Sequence, residues 1–298
     1  MNADIAARAF ISLFLALSVI GITGNTLLVY ATVKSKRLRN ACNIYIAIIA
    51  FCSIFHQLSH IVPSYLLYSR VYFFRLLDCI LIQAIPNVCL NTSTFLILTI
   101  AIDRLFLVFS PLGYYRTNKS LYVKIMLIPP IVYGVGQLAF AVATAFEAPT
   151  QPVICVVVAI FSGTSALLFP YIDSSIYILV IISYLILWCK VKSKSLLHAG
   201  QLPDKMLKSV VIITCFATLN WIISVSASIV KEIFKLNTME SFCLDLAAGV
   251  TMNIDMAIHC LVFYKFSDDY RNALRSALQL SSNRQVKPFI WSAPIVNT

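Results

Sequence analysis

Apolar residues gather into seven long runs along the chain, at about 9–33, 41–67, 79–109, 123–146, 163–189, 207–233 and 242–264, with short polar connections between them. Each run meets the roughly 20 mostly apolar residues that a helix needs to cross about 30 Å of hydrocarbon with all its backbone groups paired internally. Each is therefore a predicted transmembrane helix. The start of the fifth is the least sharply marked, because Asp173 is the sole charge in 153–187. The first run exceeds the roughly 7–15 residues of a signal-peptide core, and no small-residue cleavage site follows it, so it reads as an uncleaved span behind a short extracellular segment, 1–8.

After the seventh run the period changes. Ser267 can cap a helix whose first turn carries Asp268 and Asp269, favourable at the positive end of a helix dipole. Tyr270, Leu274, Ala277 and Leu278 then recur at helical spacing beside Arg271 and Arg275. This predicts an amphipathic helix over 265–280 lying on the inner leaflet, followed by a flexible cytoplasmic tail, 281–298. The predicted fold is an all-α membrane protein: a seven-transmembrane helix bundle, 9–264, with a short amphipathic inner-leaflet helix.

Composition agrees, with 60% hydrophobic and 12% charged residues, against about 25% charged in ordinary soluble domains. A net charge of +11 raises the question of nucleic acid. The basic residues punctuate the apolar runs, however, so no nucleic-acid partner is expected and the charge reads as topology. One set of connections holds Lys34, Lys36, Arg37 and Arg39, then Arg116, Lys119 and Lys124, then Lys190, Lys192, Lys194, Lys205 and Lys208, then Lys265, Arg271, Arg275, Arg284 and Lys287. The other set holds Arg8, Arg70, Arg75, Lys231 and Lys235. Because Lys and Arg stay cytoplasmic during insertion, the amino terminus is expected outside and the carboxyl terminus inside the plasma membrane.

Asp103-Arg104-Leu105 stands at the inner end of the third run, where an ion pair serves either as a switch or as a snorkelling anchor. Cys79 lies about 24 residues earlier, roughly 36 Å away at 1.5 Å rise per residue. Cys155 falls in the outer connection after the fourth run. The two are natural disulfide partners on an oxidising face, the alternative being two free buried thiols. The nine cysteines show no paired spacing for zinc or redox chemistry.

These residues resemble the rhodopsin-like G-protein-coupled receptors, and among them the nematode serpentine chemoreceptors of class sx. The resemblance rests on Gly24-Asn25, the basic Lys36-Arg37-Leu38-Arg39 loop, Asn43, Cys79, Asp103-Arg104-Leu105, Pro170, Trp221 and the Tyr264–Arg271 junction. It implies a receptor that binds an extracellular ligand, such as a chemosensory cue, and activates a heterotrimeric G protein. In that scheme Arg104 leaves Asp103 as the sixth span swings out, Trp221 forms the floor of the ligand cavity, and Asn25, Ser53, Asp255, His259 and Tyr264 are polar bundle residues.

The chain also departs from that pattern. Ser53 stands where the family has Asp, which counts against a family-type sodium site, and no proline follows Trp221. His259-Cys260-Leu261-Val262-Phe263 replaces the seventh-span Asn-Pro-x-x-Tyr signature, and Asp255 before it is expected to pair with His259. His56 and His60 have a metal-compatible spacing without a third ligand and read as satisfied bundle residues, with ligand contact as the alternative. Asp173 reads either a cationic ligand or an unwound backbone amide near Pro170. Asn91 and Asn118 head glycosylation triplets, one inside a span and one in an inner loop, where neither should be modified. No hydrolase, metalloprotease or phosphate-loop motif occurs, so no enzyme, cofactor or metal is implied. A small-solute transporter or channel is the alternative function, although no internal repeat supports it.

Overall fold

A computed structural model of the chain describes residues 3–70, 73–192 and 204–278. The connection with Lys194 and the tail with Arg284 and Lys287, expected to be flexible, lie outside these residues, as do the side chains of Lys192, Lys205 and Lys208.

Seven apolar stretches are long enough to cross a membrane. They are built from α1 (Ala3–Lys34), α2 (Ala41–Leu58) with α3 (Ile61–Tyr68), α4 (Leu76–Phe109), α6 (Lys119–Ala145), α7 (Gly163–Lys192), α8 (Asp204–Phe234) and α9 (Thr238–Phe266). A short helix, α5 (Pro111–Arg116), follows the third stretch, and α10 (Asp268–Ala277) follows the seventh. Asparagines start several helices by accepting from orphan backbone N–H groups. Asn40 accepts from Asn43 N at the head of α2, and Asn118 accepts from Ser120 N and Leu121 N at the head of α6. Asn237 and Glu240 form a reciprocal capping box on α9.

The second stretch differs from the single helix expected over 41–67. It breaks at Ser59 and His60, because Pro63 has no N–H to give Ser59. Ser59 Oγ and Ser64 Oγ donate instead to the carbonyls of His56 and His60, each at 2.5 Å. The proline-bearing helices α4, α6 and α7 stay continuous, and α8 runs unbroken through Trp221.

Helix α4 is the central element, packed against α2, α6 and α7, while α1 lies between α2 and α9. Toward the Arg104 end, Leu28, Leu38, Tyr45, Leu96, Phe263 and Tyr270 form one buried cluster. Toward the opposite end, Leu76, Ile80, Ala141, Ile160 and Phe161 surround the Cys79–Cys155 disulfide. Beside that disulfide β1 (Phe74–Arg75) pairs antiparallel with β2 (Pro152–Val153), with Phe74 opposite Val153. This two-residue ladder ties the long loop down across the bundle. No strand is expected there from the sequence.

The amphipathic helix is shorter than the 265–280 expected, because Lys265 and Phe266 continue α9. Ser267 accepts from Tyr270 N at its head, and Tyr270 and Leu274 turn inward. The Tyr270 hydroxyl meets Thr32 Oγ1 at 3.0 Å. Arg271 closes the corner by donating to the carbonyls of Tyr264 and Lys265 and to Asp268.

Candidate functional site

Asp103 and Arg104 lie near the end of α4 and both turn into protein, with 0% and 6% of their surfaces exposed. Arg104 donates from Nε to Asp103 Oδ2 at 3.0 Å and from Nη2 to the same oxygen. The other carboxylate oxygen, Oδ1, accepts from the Tyr114 hydroxyl at 3.1 Å. Tyr114 reaches it because Pro111, pre-set for a first helical turn, starts α5 directly after α4. Phe106, Tyr114 and Tyr122 pack edge-on or tilted against one another beside the pair, with ring centroids 5.6–6.0 Å apart. Burial, reinforced by the Asp103 charge, pushes the Tyr114 phenol upward, so it stays protonated and donates. A snorkelling anchor would hold its guanidinium out toward headgroups, whereas this one is enclosed. Removing either partner from such a buried pair costs roughly 3–5 kcal/mol, because the other charge is left uncompensated.

Further along the bundle, Asn25 is 1% exposed and donates from Nδ2 to the Met256 carbonyl at 3.1 Å, tying α1 to α9. Ser53 is buried and donates to Ile49 O of its own helix. Asp255 and His259 face each other across one turn of α9, with Oδ1 and Nε2 3.6 Å apart. That is too long for a hydrogen bond, and both atoms are buried without a partner. A cavity of about 20 Å³, lined by His259 and Thr214 among apolar residues, adjoins the His259 side of the pair. Trp221 engages α7, donating from Nε1 to Ser174 Oγ at 3.1 Å and stacking on Tyr177.

Tyr264 corrects the expectation that it belongs to the polar interior. Its side chain is 37% exposed and its hydroxyl accepts from Arg275 Nε of α10, while Phe263, 2% exposed, takes the inward position against Tyr270. The two lie about 100° apart around the helix, and the rotation of α9 points Phe263 at Tyr270 and Tyr264 toward α10.

At the disulfide end the structure joins Cys79 and Cys155, with Cα atoms 5.5 Å apart. Gln83, Asn87 and Asn91 recur every fourth residue on one face of α4 and are all buried. Asn87 donates to Val157 O of the covering loop, and Asn91 donates to Asn87. Both amide atoms of Gln83 and the Asn91 oxygen have no partner. At the break between α2 and α3, His60 Nε2 meets Asn253 Oδ1 of α9 at 2.8 Å, and the ring of His56 on α2 packs edge-on against His60. His56 Nδ1 and the Gln57 amide are again buried and unpartnered. Among the described residues no three His, Cys, Asp or Glu side chains converge as metal ligands. Asp173 is half-buried on α7.

Sequence reading missed Tyr114, Tyr122, Asn253 and the Gln83-Asn87-Asn91 face. The last was readable as a polar stripe in an apolar run. The partners of Tyr114 and Asn253 lie on other helices and leave no local signal.

Among known families, the model described as serpentine type 7TM GPCR chemoreceptor Srsx matches residues 18–278. The matched region extends from within α1 to the end of α10 and contains every side chain described above.

Proposed function

The chain belongs to the Srsx family of serpentine seven-transmembrane chemoreceptors, and from that premise we propose that it binds an extracellular ligand and activates a heterotrimeric G protein. It is a multi-pass membrane protein of a family that is in general non-enzymatic. In the proposed topology the amino terminus is outside, and the Arg104 end, next to the basic connections, faces the cytoplasm of a plasma-membrane receptor.

The observation that carries the reading is the enclosed Asp103–Arg104 pair held by Tyr114. A buried ion pair fastened by a residue from a separate short helix has two arrangements available, closed or released, and release requires α5 or its neighbours to move. Ligand shifts that equilibrium only through its differential affinity for the two states. Unpartnered buried atoms on Gln83, Asn91, His56 and Gln57 supply candidate contacts at the disulfide end. Each costs roughly 1–3 kcal/mol while unsatisfied, so a small hydrogen-bonding ligand that reaches them gains correspondingly. Asn25, Trp221 and the Asp255–His259 pair lie between the two ends and serve in this scheme as the polar and aromatic joints between helices. By their place in the sequence, Lys190, Lys192 and Lys194 are assigned in this scheme to the G protein and anionic lipid.

The test compares basal and odorant-stimulated G-protein activation in cells displaying the chain or its Arg104→Ala variant at matched surface levels. Activation that needs Arg104 is the expected result. Substrate flux in reconstituted vesicles, with no nucleotide exchange on any G protein tried, would overturn the receptor reading in favour of transport.

A further inference from the structure

A cavity of about 140 Å³ opens beside Arg104, lined by the heads of α2 and α6, the end of α4, and α5. That is many times the ~10–15 Å³ that one water requires. Among the described residues, Arg104 and Lys119 are its cations, Tyr114, Tyr115 and Tyr122 bring phenols to its wall, and no carboxylate lines it. Ala41 and Lys119, the first residues of α2 and α6, both line it, so the positive ends of two long helix dipoles meet there.

Two side chains on this wall have hydrogen-bonding capacity to spare. Arg104, only 6% exposed, gives Nε and Nη2 to Asp103, and its Nη1 makes no hydrogen bond among the described residues. The Tyr122 hydroxyl is buried beside the Asp103 carboxylate without a well-formed hydrogen bond to it. Lys119 forms no ion pair among the described residues. Asp103 offsets one of the two cations, which leaves the cavity with net positive charge before the helix dipoles are counted.

From this we infer that the cavity is an anion site for a phosphomonoester, either on a phospholipid headgroup of the adjoining leaflet or free in solution. Such a group carries about −1.5 to −2 charge and three acceptor oxygens, matching two cations, two dipole ends and phenolic donors better than a single-charged carboxylate does. Guanidinium and ammonium groups both bind phosphate, the former through its planar fork. Phosphate held here gives Arg104 a second partner and so competes with Asp103 for the guanidinium. The inference goes beyond receptor function, and it relies on the proposed topology only for which leaflet supplies the lipid.

The test uses the full chain in phosphatidylcholine nanodiscs, which expose both faces and contain no G protein, so the result is independent of the topology and of coupling. Dioctanoyl phosphatidylinositol 4-phosphate and inorganic phosphate are titrated separately, with binding read by native mass spectrometry. Saturable one-to-one binding is expected, weakened at least fivefold by Lys119→Gln, restored by Lys119→Arg, and unchanged by Lys124→Gln, which lies on the same helix outside the cavity. Saturation by the lipid alone identifies a membrane source, and equal saturation by inorganic phosphate identifies a soluble one. Absence of saturable binding by either probe overturns the assignment. So does equal weakening by the Lys119 and Lys124 variants, which would reduce the effect to general attraction by a basic surface.

Discussion

Tyr114 joins the Asp103 carboxylate through a single hydroxyl at 3.1 Å, and a hydrogen bond to a charged acceptor is worth roughly 1.5–3 kcal/mol. Tyr114→Phe keeps the ring contacts with Phe106 and Tyr122 and removes only that bond. The expected outcome is a basal nucleotide-exchange rate raised about tenfold or more at matched surface expression, since each 1.4 kcal/mol is roughly a factor of ten. An unchanged basal rate would move the restraint to another contact. The sequence places a tyrosine at the family's junction, but rotation of α9 turns Phe263 inward and leaves Tyr264 to meet Arg275. Adjacent letters differ by about 100° on a helix, and the sequence alone does not say which one faces the bundle.

The glycines of α6 separate element packing from element formation. A Cβ on Gly134 would stand 2.3 Å from Thr92 Oγ1 and 2.8 Å from Val88 O of α4, a backbone atom that cannot turn aside, whereas one on Gly136 meets nothing within 4 Å. Close backbone approach at small residues is a general device for packing helices in lipid. Gly134→Ala should therefore push α4 and α6 apart and lower the thermal midpoint by several degrees, an overpacking loss of roughly 1–3 kcal/mol. Gly136→Ala should be neutral or slightly stabilising. Equal effects at the two sites would disprove the packing argument. On α10, Tyr270 is 0% exposed and bonded to Thr32. Burial drives its phenol upward, so it stays neutral across the physiological range. Tyr270→Ala should free α10 from α1, costing roughly 3–5 kcal/mol as expected for an aromatic core truncation. Tyr270→Phe should cost only about 1 kcal/mol. Protease accessibility of the 267–278 segment, compared between the two variants, reads the difference.

For the molecule as a whole, the disulfide and the two-residue ladder clamp the loop after α6 onto the head of α4. Removing a native disulfide typically costs ~2–5 kcal/mol. Cys79→Ser and Cys155→Ser should each sharply reduce surface display, and the double variant should be no worse than either single one. A clearly additive double variant would mean that the cysteines act separately. The sequence by itself determined the seven spans, the position of α10 and the charge asymmetry, because hydrocarbon thickness, backbone pairing, helix capping and charge retention each act on contiguous residues. It also brought Asp103 and Arg104 together, since they are neighbours in the chain. Only the tertiary structure decided that Tyr114 fastens this pair, that His60 meets Asn253, that Asp255 and His259 stand just beyond hydrogen-bond distance, and that a basic cavity forms where α2, α4, α5 and α6 meet. These depend on how far each helix is rotated about its own axis and slid along its neighbours. Side-chain packing between helices sets both, and no run of adjacent residues contains that information.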